Sequence, residues 1–184
     1  MKHFLPFLAL AAAVGMTAAC QSAGPSVEGR VVDATIHSVT VETAAGDSLT
    51  VSTLGTDPML VPGVLPGDAV RIFYMTVGED DTMQALQLDI LEPSAYRLLP
   101  GIWRDCSSEQ EVGLVLAEDG SAQATGLATP LLDWSLDGEQ LVLTTLLSEE
   151  PRTTGTLPMQ IVRLDVDSLV VSGPDCRFSF SRQQ

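Results

Sequence analysis

Few side chains in this sequence have the chemistry for catalysis or metal binding. Of its two histidines, only His37 lies outside the N-terminal segment. A serine or cysteine nucleophile would have to be built around that imidazole. His37 instead alternates with Val39 and Val41 as strand residues do. With no glycine-rich phosphate-binding loop either, we predict a protein that is not an enzyme and has no cofactor.

A cluster of carboxylates occurs in Gly78-Glu79-Asp80-Asp81. Clustered carboxylates attract a hard cation such as Ca²⁺, but a dedicated calcium site spaces its oxygen ligands in a defined pattern. The cluster separates two alternating segments, Ala69–Val77 and Thr82–Leu91. We interpret it as a solvated hairpin turn, with calcium binding as the alternative.

The N-terminal segment has the parts of an export signal. Lys2 and His3 precede an apolar stretch, Phe4–Met16, which has 13 residues. A mature helix needs roughly 20 residues to span a bilayer. The segment is therefore interpreted as a cleaved signal peptide rather than a membrane anchor.

Three small residues at positions 17–19 lead into Cys20. This ending resembles the lipobox of bacterial lipoproteins, although Thr17 stands where that motif usually has Leu. The resemblance implies that residues 1–19 are removed and that Cys20 is the site of lipid attachment. The alternative is an ordinary signal whose cleavage site borders a cysteine. Gln21 after the cysteine resembles lipoproteins of the outer membrane, so we expect an envelope protein that is anchored there and faces the periplasm.

Removal of residues 1–19 leaves a strongly acidic chain. Eight Arg then stand against 24 Asp and Glu, a formal net charge of −16. A surface of this charge repels the phosphates of nucleic acids and of anionic lipids. Nucleic-acid binding is therefore excluded. Membrane attachment is expected through N-terminal acyl chains such as palmitate, not through a basic patch.

Two cysteines remain after Cys20, namely Cys106 and Cys176. In an oxidising envelope compartment, such an even and widely separated pair is predicted to form a disulfide. The closed loop of about 70 residues would stabilise the fold by roughly 4 kcal/mol. The alternative is a reactive thiol. Once the disulfide forms, too few His and Cys residues remain for a zinc site, so no metal ligands are predicted.

An all-β fold is predicted throughout the exported chain, which begins with a lipidated tether at residues 20–26. From residue 27 to 92, apolar and polar residues alternate with the period of half-buried strands. The segment contains five such runs separated by turn residues. This pattern suits a small OB-like β domain, a closed or nearly closed barrel; an open five-stranded sheet is the alternative.

A second set of strands is predicted in residues 97–184, after a boundary at Glu92-Pro93-Ser94. Eight alternating segments occur there with turn signals such as Asp119-Gly120 and Asp137-Gly138 between them. The predicted fold is a small eight-stranded antiparallel barrel of up-and-down topology. The predicted strands are Gly101–Cys106, Val112–Ala117, Ser121–Gly126, Leu131–Leu136, Gln140–Leu147, Met159–Asp165, Ser168–Val171 and Cys176–Arg182.

Gly101-Ile102-Trp103 opens this second set of strands, and Arg182 lies near its end. A Gly-x-Trp on the first strand with an Arg on the last resembles the signature of the calycins, the lipocalins and their relatives. The resemblance implies a structural pair that closes the barrel, in which the guanidinium packs across the indole. Arg182 is the predicted partner of Trp103 because it shares the phase of Phe178 and Phe180, whereas Arg177 has the opposite phase.

Antiparallel pairing of the first and last strands would bring together both pairs of residues. The numbers of Trp103 and Arg182 add up to 285, and those of Cys106 and Cys176 to 282. Paired residues in antiparallel strands have a nearly constant sum. However, Trp103 and Cys106 fall on opposite faces of an ideal strand, whereas Cys176 and Phe178 share one face. The scheme therefore requires a bulge or a strand end near Asp105.

The whole arrangement resembles the lipidated lipocalin-like proteins of bacterial envelopes, some of which carry an OB-like domain ahead of the barrel. It is also similar to outer-membrane lipoproteins that report copper or envelope stress. Those proteins have a Cys-x-x-Cys near the start of the calycin domain, and this chain has none. The difference argues against copper binding.

The predicted barrel is small, and its interior is expected to be mostly filled. Eight strands of about six residues span only about 20 Å. Two functions are left open: binding of a small apolar ligand, implied by the calycin resemblance, or a structural or stress-sensing role in which the protein binds another envelope protein. The predicted interior residues are Leu132, Trp134, Leu136, Leu141, Leu143, Phe178 and Phe180.

Overall fold

The computed structural model describes residues 24–105, 112–174 and 176–183. Within these ranges the chain forms thirteen strands and one short helix, so the predicted all-β class is confirmed. The first five strands are β1 (Ser26–Ala34), β2 (Ser38–Glu42), β3 (Ser48–Ser52), β4 (Ala69–Val77) and β5 (Thr82–Glu92). The remaining elements are α1 (Ala95–Leu98), β6 (Gly101–Asp105), β7 (Gly113–Leu116), β8 (Ala122–Thr125), β9 (Leu131–Asp137), β10 (Gln140–Glu149), β11 (Arg152–Leu164), β12 (Ser168–Ser172) and β13 (Arg177–Arg182).

The first five strands close into a barrel in the order β1-β2-β3-β5-β4. β3 and β5 run parallel, and the other neighbours are antiparallel. Inward residues alternate with outward ones, as the period-two pattern predicts. The prediction of a closed five-stranded barrel is confirmed. Its core consists of Val31, Val39, Val41, Val51, Val70, Ile72, Ala85 and Leu88.

Two predictions for the first barrel can be compared with the structure. Gly78-Glu79-Asp80-Asp81 forms the turn between β4 and β5, as predicted. In the part of the chain that the structure describes, no three His, Cys, Asp or Glu side chains are grouped to hold a metal ion. His37 was predicted as a strand residue, but it is exposed and lies one residue before β2. Its carbonyl accepts a hydrogen bond from the N–H of Thr53 at 2.8 Å.

The last eight strands form an antiparallel sheet in the order β8-β7-β6-β13-β12-β11-β10-β9. The first and last strands of this region, β6 and β13, pair with each other, and every other pair is consecutive in the chain. A single bridge between Ser121 and Asp133 spans the gap between β8 and β9. The result is a nearly closed barrel of eight strands, as predicted.

The second barrel has a filled interior. Each of its eight strands contributes at least one buried apolar residue to this interior. The buried core consists of Leu99, Trp103, Val112, Leu114, Leu116, Ala122, Leu131, Trp134, Leu141, Leu143, Met159, Leu169, Val171 and Phe180.

Two sequence predictions for this barrel are wrong in detail. Leu132 was predicted to point inward, but Leu131 is the buried residue. The register between β9 and β10 shifts near Thr144, and such an irregularity changes which residues face inward. β11 begins at Arg152, seven residues before the predicted start at Met159. The prediction missed these residues because Gly155 and Pro158 give them the composition of a loop.

The two barrels are joined by α1, which was not predicted. β5 ends at Glu92 and α1 begins at Ala95, so the predicted boundary at residues 92–94 lies between them. α1 has four residues, too few for a helical period to be recognised in sequence. Among the described residues, no helix is long and apolar enough to cross a membrane.

Candidate functional site

Trp103 and Arg182 lie opposite each other on the strands that close the second barrel. They are paired residues of β6 and β13, and the Cζ atom of Arg182 is 4.2 Å from the centroid of the Trp103 ring. Trp103 is fully buried, and its indole N–H donates to the carbonyl of Leu99 at 2.8 Å. The guanidinium therefore covers a tryptophan that fills the end of the barrel, a favourable cation–π contact.

Arg182 also binds the backbone that enters the barrel. Its guanidinium donates to the carbonyls of Leu98 and Pro100, and to that of Val166 across the barrel end. Gly101 has φ +146°, and a Cβ atom there would lie 2.2 Å from Nη1 of Arg182. The glycine of the Gly-x-Trp motif is therefore required by its backbone conformation and by the approach of Arg182.

Three cysteines were predicted as covalent sites, one for lipid attachment and two for a disulfide. Cys20 and Cys106 lie outside the described residues. Cys176 is half-buried and directly precedes β13. It forms no disulfide with another described residue, so its pairing with Cys106 stays a prediction. Arg177 is exposed, as its opposite phase to Arg182 requires.

A cleft of about 620 Å³ lies between the two barrels. The loop at residues 63–66 forms the wall on the first barrel. Tyr96 and Arg97 of α1, Pro100, Glu118 and Trp134 form the rest. Ligand sites often lie at such domain junctions, where apolar and aromatic walls carry a few polar groups.

Two aromatic rings form the wall of the cleft on the second barrel. The ring centroids of Tyr96 and Trp134 are 6.5 Å apart, with the rings tilted by 40°. Trp134 is mostly buried, and its indole N–H donates to the carbonyl of Ala117 at 2.8 Å. The exposed fraction of Tyr96 is 44%. The pair therefore offers the cleft an aromatic surface whose inner ring is fixed by the barrel.

A buried carboxylate joins the two walls. Asp68 is fully buried in the first barrel, and its carboxylate accepts hydrogen bonds from the N–H groups of Leu65 and Ser94 at 2.8 and 2.7 Å. It also forms an ion pair with Arg97 of α1 at 2.9 Å. Arg97 in turn donates to the carbonyl of Gly63 at 2.9 Å. These bonds fix the positions of both walls relative to each other.

The pKa of Asp68 reflects this environment. Burial alone would raise its pKa, but the hydrogen bond from Arg97 and those from the backbone of Leu65 and Ser94 outweigh the burial and hold the pKa below its ordinary value. Asp68 is therefore ionised and keeps Arg97 engaged at neutral pH.

Sequence reasoning did not identify Asp68, Tyr96, Arg97 or Glu118 as site residues. Asp68 contacts Ser94 and Arg97 across 26 and 29 residues of sequence, and no local pattern indicates such a pairing. Trp134 was predicted as an interior residue, and it is one. Trp134 also lines the cleft, and the sequence could not indicate this because it depends on the placement of α1.

A shallower depression of about 420 Å³ lies on the second barrel. Leu127, Leu131, Leu147 and Leu157 are among its lining residues. Its described lining contains no aromatic or charged residue, so the cleft offers more varied contacts to a ligand.

Comparison with known proteins agrees with the geometry of the second barrel. Residues 96–183 match the model of the lipocalin-like family, a range that runs from α1 to the end of β13. Among solved structures, a lipocalin-like protein from Bacteroides thetaiotaomicron is 26% identical, with a TM-score of 0.37, and the match covers 46% of this chain and 95% of that one. No curated protein matches the chain. The residues that form the second barrel, closed by Trp103 and Arg182, are therefore similar to the lipocalin-like family.

Proposed function

We propose that this chain is a non-enzymatic, lipid-anchored protein of the cell envelope that binds a small apolar molecule in the cleft between its two barrels. The observation that carries the proposal is the cleft itself, whose wall contains Tyr96 and Trp134 and whose halves are held together by Asp68 and Arg97. Buried side chains from all eight strands occupy the barrel interior, and this supports a binding location outside it.

The anchor part of the proposal depends on Cys20. Replacement of Cys20 by serine removes the thiol that would be acylated, so the variant is expected to carry no lipid. Cys176→Ser is the matched control, because it removes a thiol from the second barrel and leaves the N-terminus unchanged. Metabolic labelling with an alkyne-tagged palmitate measures the acylation of each chain. Label that persists in Cys20→Ser at the level of the control would contradict the proposed anchor.

The binding part is tested by native mass spectrometry. The sample is the exported, non-lipidated chain from Gln21 to Gln184, which contains every described strand and cleft residue, purified without detergent. We expect a reproducible extra mass that is lost on denaturation. A clean apo mass would contradict small-molecule binding.

Two variants locate the bound molecule. Tyr96→Ser alters a partly exposed ring in the cleft and is expected to reduce the bound fraction strongly. Leu147→Ser is the matched control, because Leu147 is 65% exposed and lines the separate depression on the second barrel. An extra mass that is kept in Tyr96→Ser and lost in Leu147→Ser would place the ligand in the depression and contradict the cleft.

A second candidate function is binding of another envelope protein. It is favoured by exposed apolar side chains in the loops of the first barrel, where Ile36, Leu54 and Met59 are 87%, 64% and 88% exposed. Large exposed apolar patches mark interaction sites. In this case Ile36→Ser and Met59→Ser together would abolish chemical cross-linking to an envelope partner, whereas Tyr96→Ser would not.

A further inference from the structure

The charges at the cleft indicate which kind of apolar molecule it accepts. Arg97 is the cation of the cleft wall, but its guanidinium is paired with Asp68 and also donates to the carbonyl of Gly63. Its charge is therefore balanced by a buried carboxylate, and its Nη2 donor is turned toward the first barrel. An anionic ligand would have to compete with Asp68 for this group.

Glu118 is the remaining charged group in the cleft wall. It lies in the turn between β7 and β8, which is held to β9 by two hydrogen bonds from Trp134: the backbone N–H to Gly120 at 2.7 Å and the indole N–H to Ala117 at 2.8 Å. Within the described ranges, no hydrogen bond or ion pair engages the Glu118 carboxylate. The neighbouring carboxylate, Asp119, is occupied by the N–H and hydroxyl of Ser121.

The Glu118 carboxylate therefore stands on a fixed turn that is bonded to an aromatic wall. Aromatic faces attract cations through the ring quadrupole. A carboxylate beside such faces also attracts a cation. The chain as a whole carries a formal charge of −15, which raises the local concentration of cations and lowers that of anions.

We infer that the cleft binds apolar molecules that carry one positive charge, such as aryl or alkyl amines and quaternary ammonium compounds. The inference rests on the proposed function, since it names the ligand class of the same cleft. The apolar body would contact Tyr96 and Trp134, and the ammonium group would lie beside Glu118.

Three probes with the same apolar body test the inference: 1-(aminomethyl)naphthalene as the cation, 1-(hydroxymethyl)naphthalene as the neutral compound and 1-naphthylacetate as the anion. Isothermal titration of the exported chain from Gln21 measures each Kd. We expect the cation to bind about tenfold more tightly than the neutral compound, the effect of an exposed ion pair together with a cation–π contact. The anion is expected to bind most weakly.

Glu118→Gln is expected to raise the Kd of the cation about two- to fivefold, the effect of an exposed ion pair alone, and to leave that of the neutral probe unchanged. Glu79→Gln is the matched control, because it removes the same charge from the remote β4–β5 turn. Equal losses in both variants would overturn the inference, since the preference would then come from the overall charge. Equal binding of all three probes would overturn the inference and keep the proposed function, whereas binding of none would overturn both.

Discussion

Replacement of Trp103 by alanine is expected to lower the free energy of unfolding of the second barrel by about 3–5 kcal/mol, the usual cost of removing a large buried aromatic side chain. The indole is fully buried, donates to Leu99 and lies 4.2 Å below the guanidinium of Arg182. Its removal leaves a cavity at the barrel end and takes the aromatic partner from Arg182.

Denaturant titration followed by tryptophan fluorescence measures this loss. Both tryptophans, Trp103 and Trp134, belong to the second barrel, so the signal reports that barrel in the native chain and in the variant. Ile102→Ala is the matched control on the same strand, because Ile102 is 54% exposed and its truncation is expected to cost within about 0.5 kcal/mol. Equal effects of the two substitutions would contradict the role assigned to Trp103.

Asp68→Asn is expected to cost about 3 kcal/mol of unfolding free energy at neutral pH. Removing one partner of a buried ion pair typically costs about 3–5 kcal/mol, and the side chain of Arg97 is 35% exposed and can be partly rehydrated. Circular dichroism in a denaturant series gives the value. Glu28→Gln is the control, because the Glu28–Arg71 pair is exposed on both sides and is worth at most about 1 kcal/mol. A loss no greater than that of the control would contradict a fixing role for Asp68.

The pH dependence provides an independent check on Asp68. Burial raises its pKa, but the hydrogen bonds from Arg97, Leu65 and Ser94 outweigh it and lower the pKa in the folded protein. A lowered folded pKa stabilises the fold above the unfolded value of about 3.9, and this contribution is lost as the pH falls through the folded pKa. The native chain should therefore lose more stability than Asp68→Asn as the pH falls below about 4.

The barrels could be predicted because their strands follow a local pattern. Alternation along β2 and β3 identifies Val39, Val41 and Val51 as inward residues, and all three are buried. The numbering of Trp103 and Arg182 fits one antiparallel register, in which Phe180 pairs with Asp105 and Arg182 with Trp103. The two-residue alternation and the pairing register of strands follow from backbone geometry, so both can be predicted from the sequence.

The errors arise where the backbone departs from its ideal period. The register shift between β9 and β10 places Leu131 rather than Leu132 in the core, and an alternation that is read from sequence alone cannot indicate such a shift. The cleft could not be predicted for a different reason. It depends on the placement of α1 between the barrels and on the contacts of Asp68 with Ser94 and Arg97.

The most direct test of the proposed cleft uses the two tryptophans as separate reporters. In a ¹⁵N-labelled exported chain, the indole N–H groups of Trp103 and Trp134 give two NMR cross-peaks, and a Trp134→Phe sample assigns them. Trp103 is bonded to Leu99 inside the barrel, whereas Trp134 is bonded to Ala117 beside the cleft. On titration with the naphthalene probes, we expect the Trp134 peak to shift and the Trp103 peak to stay in place. A shift of Trp103 alone, or of neither peak at saturating probe, would contradict binding in the cleft.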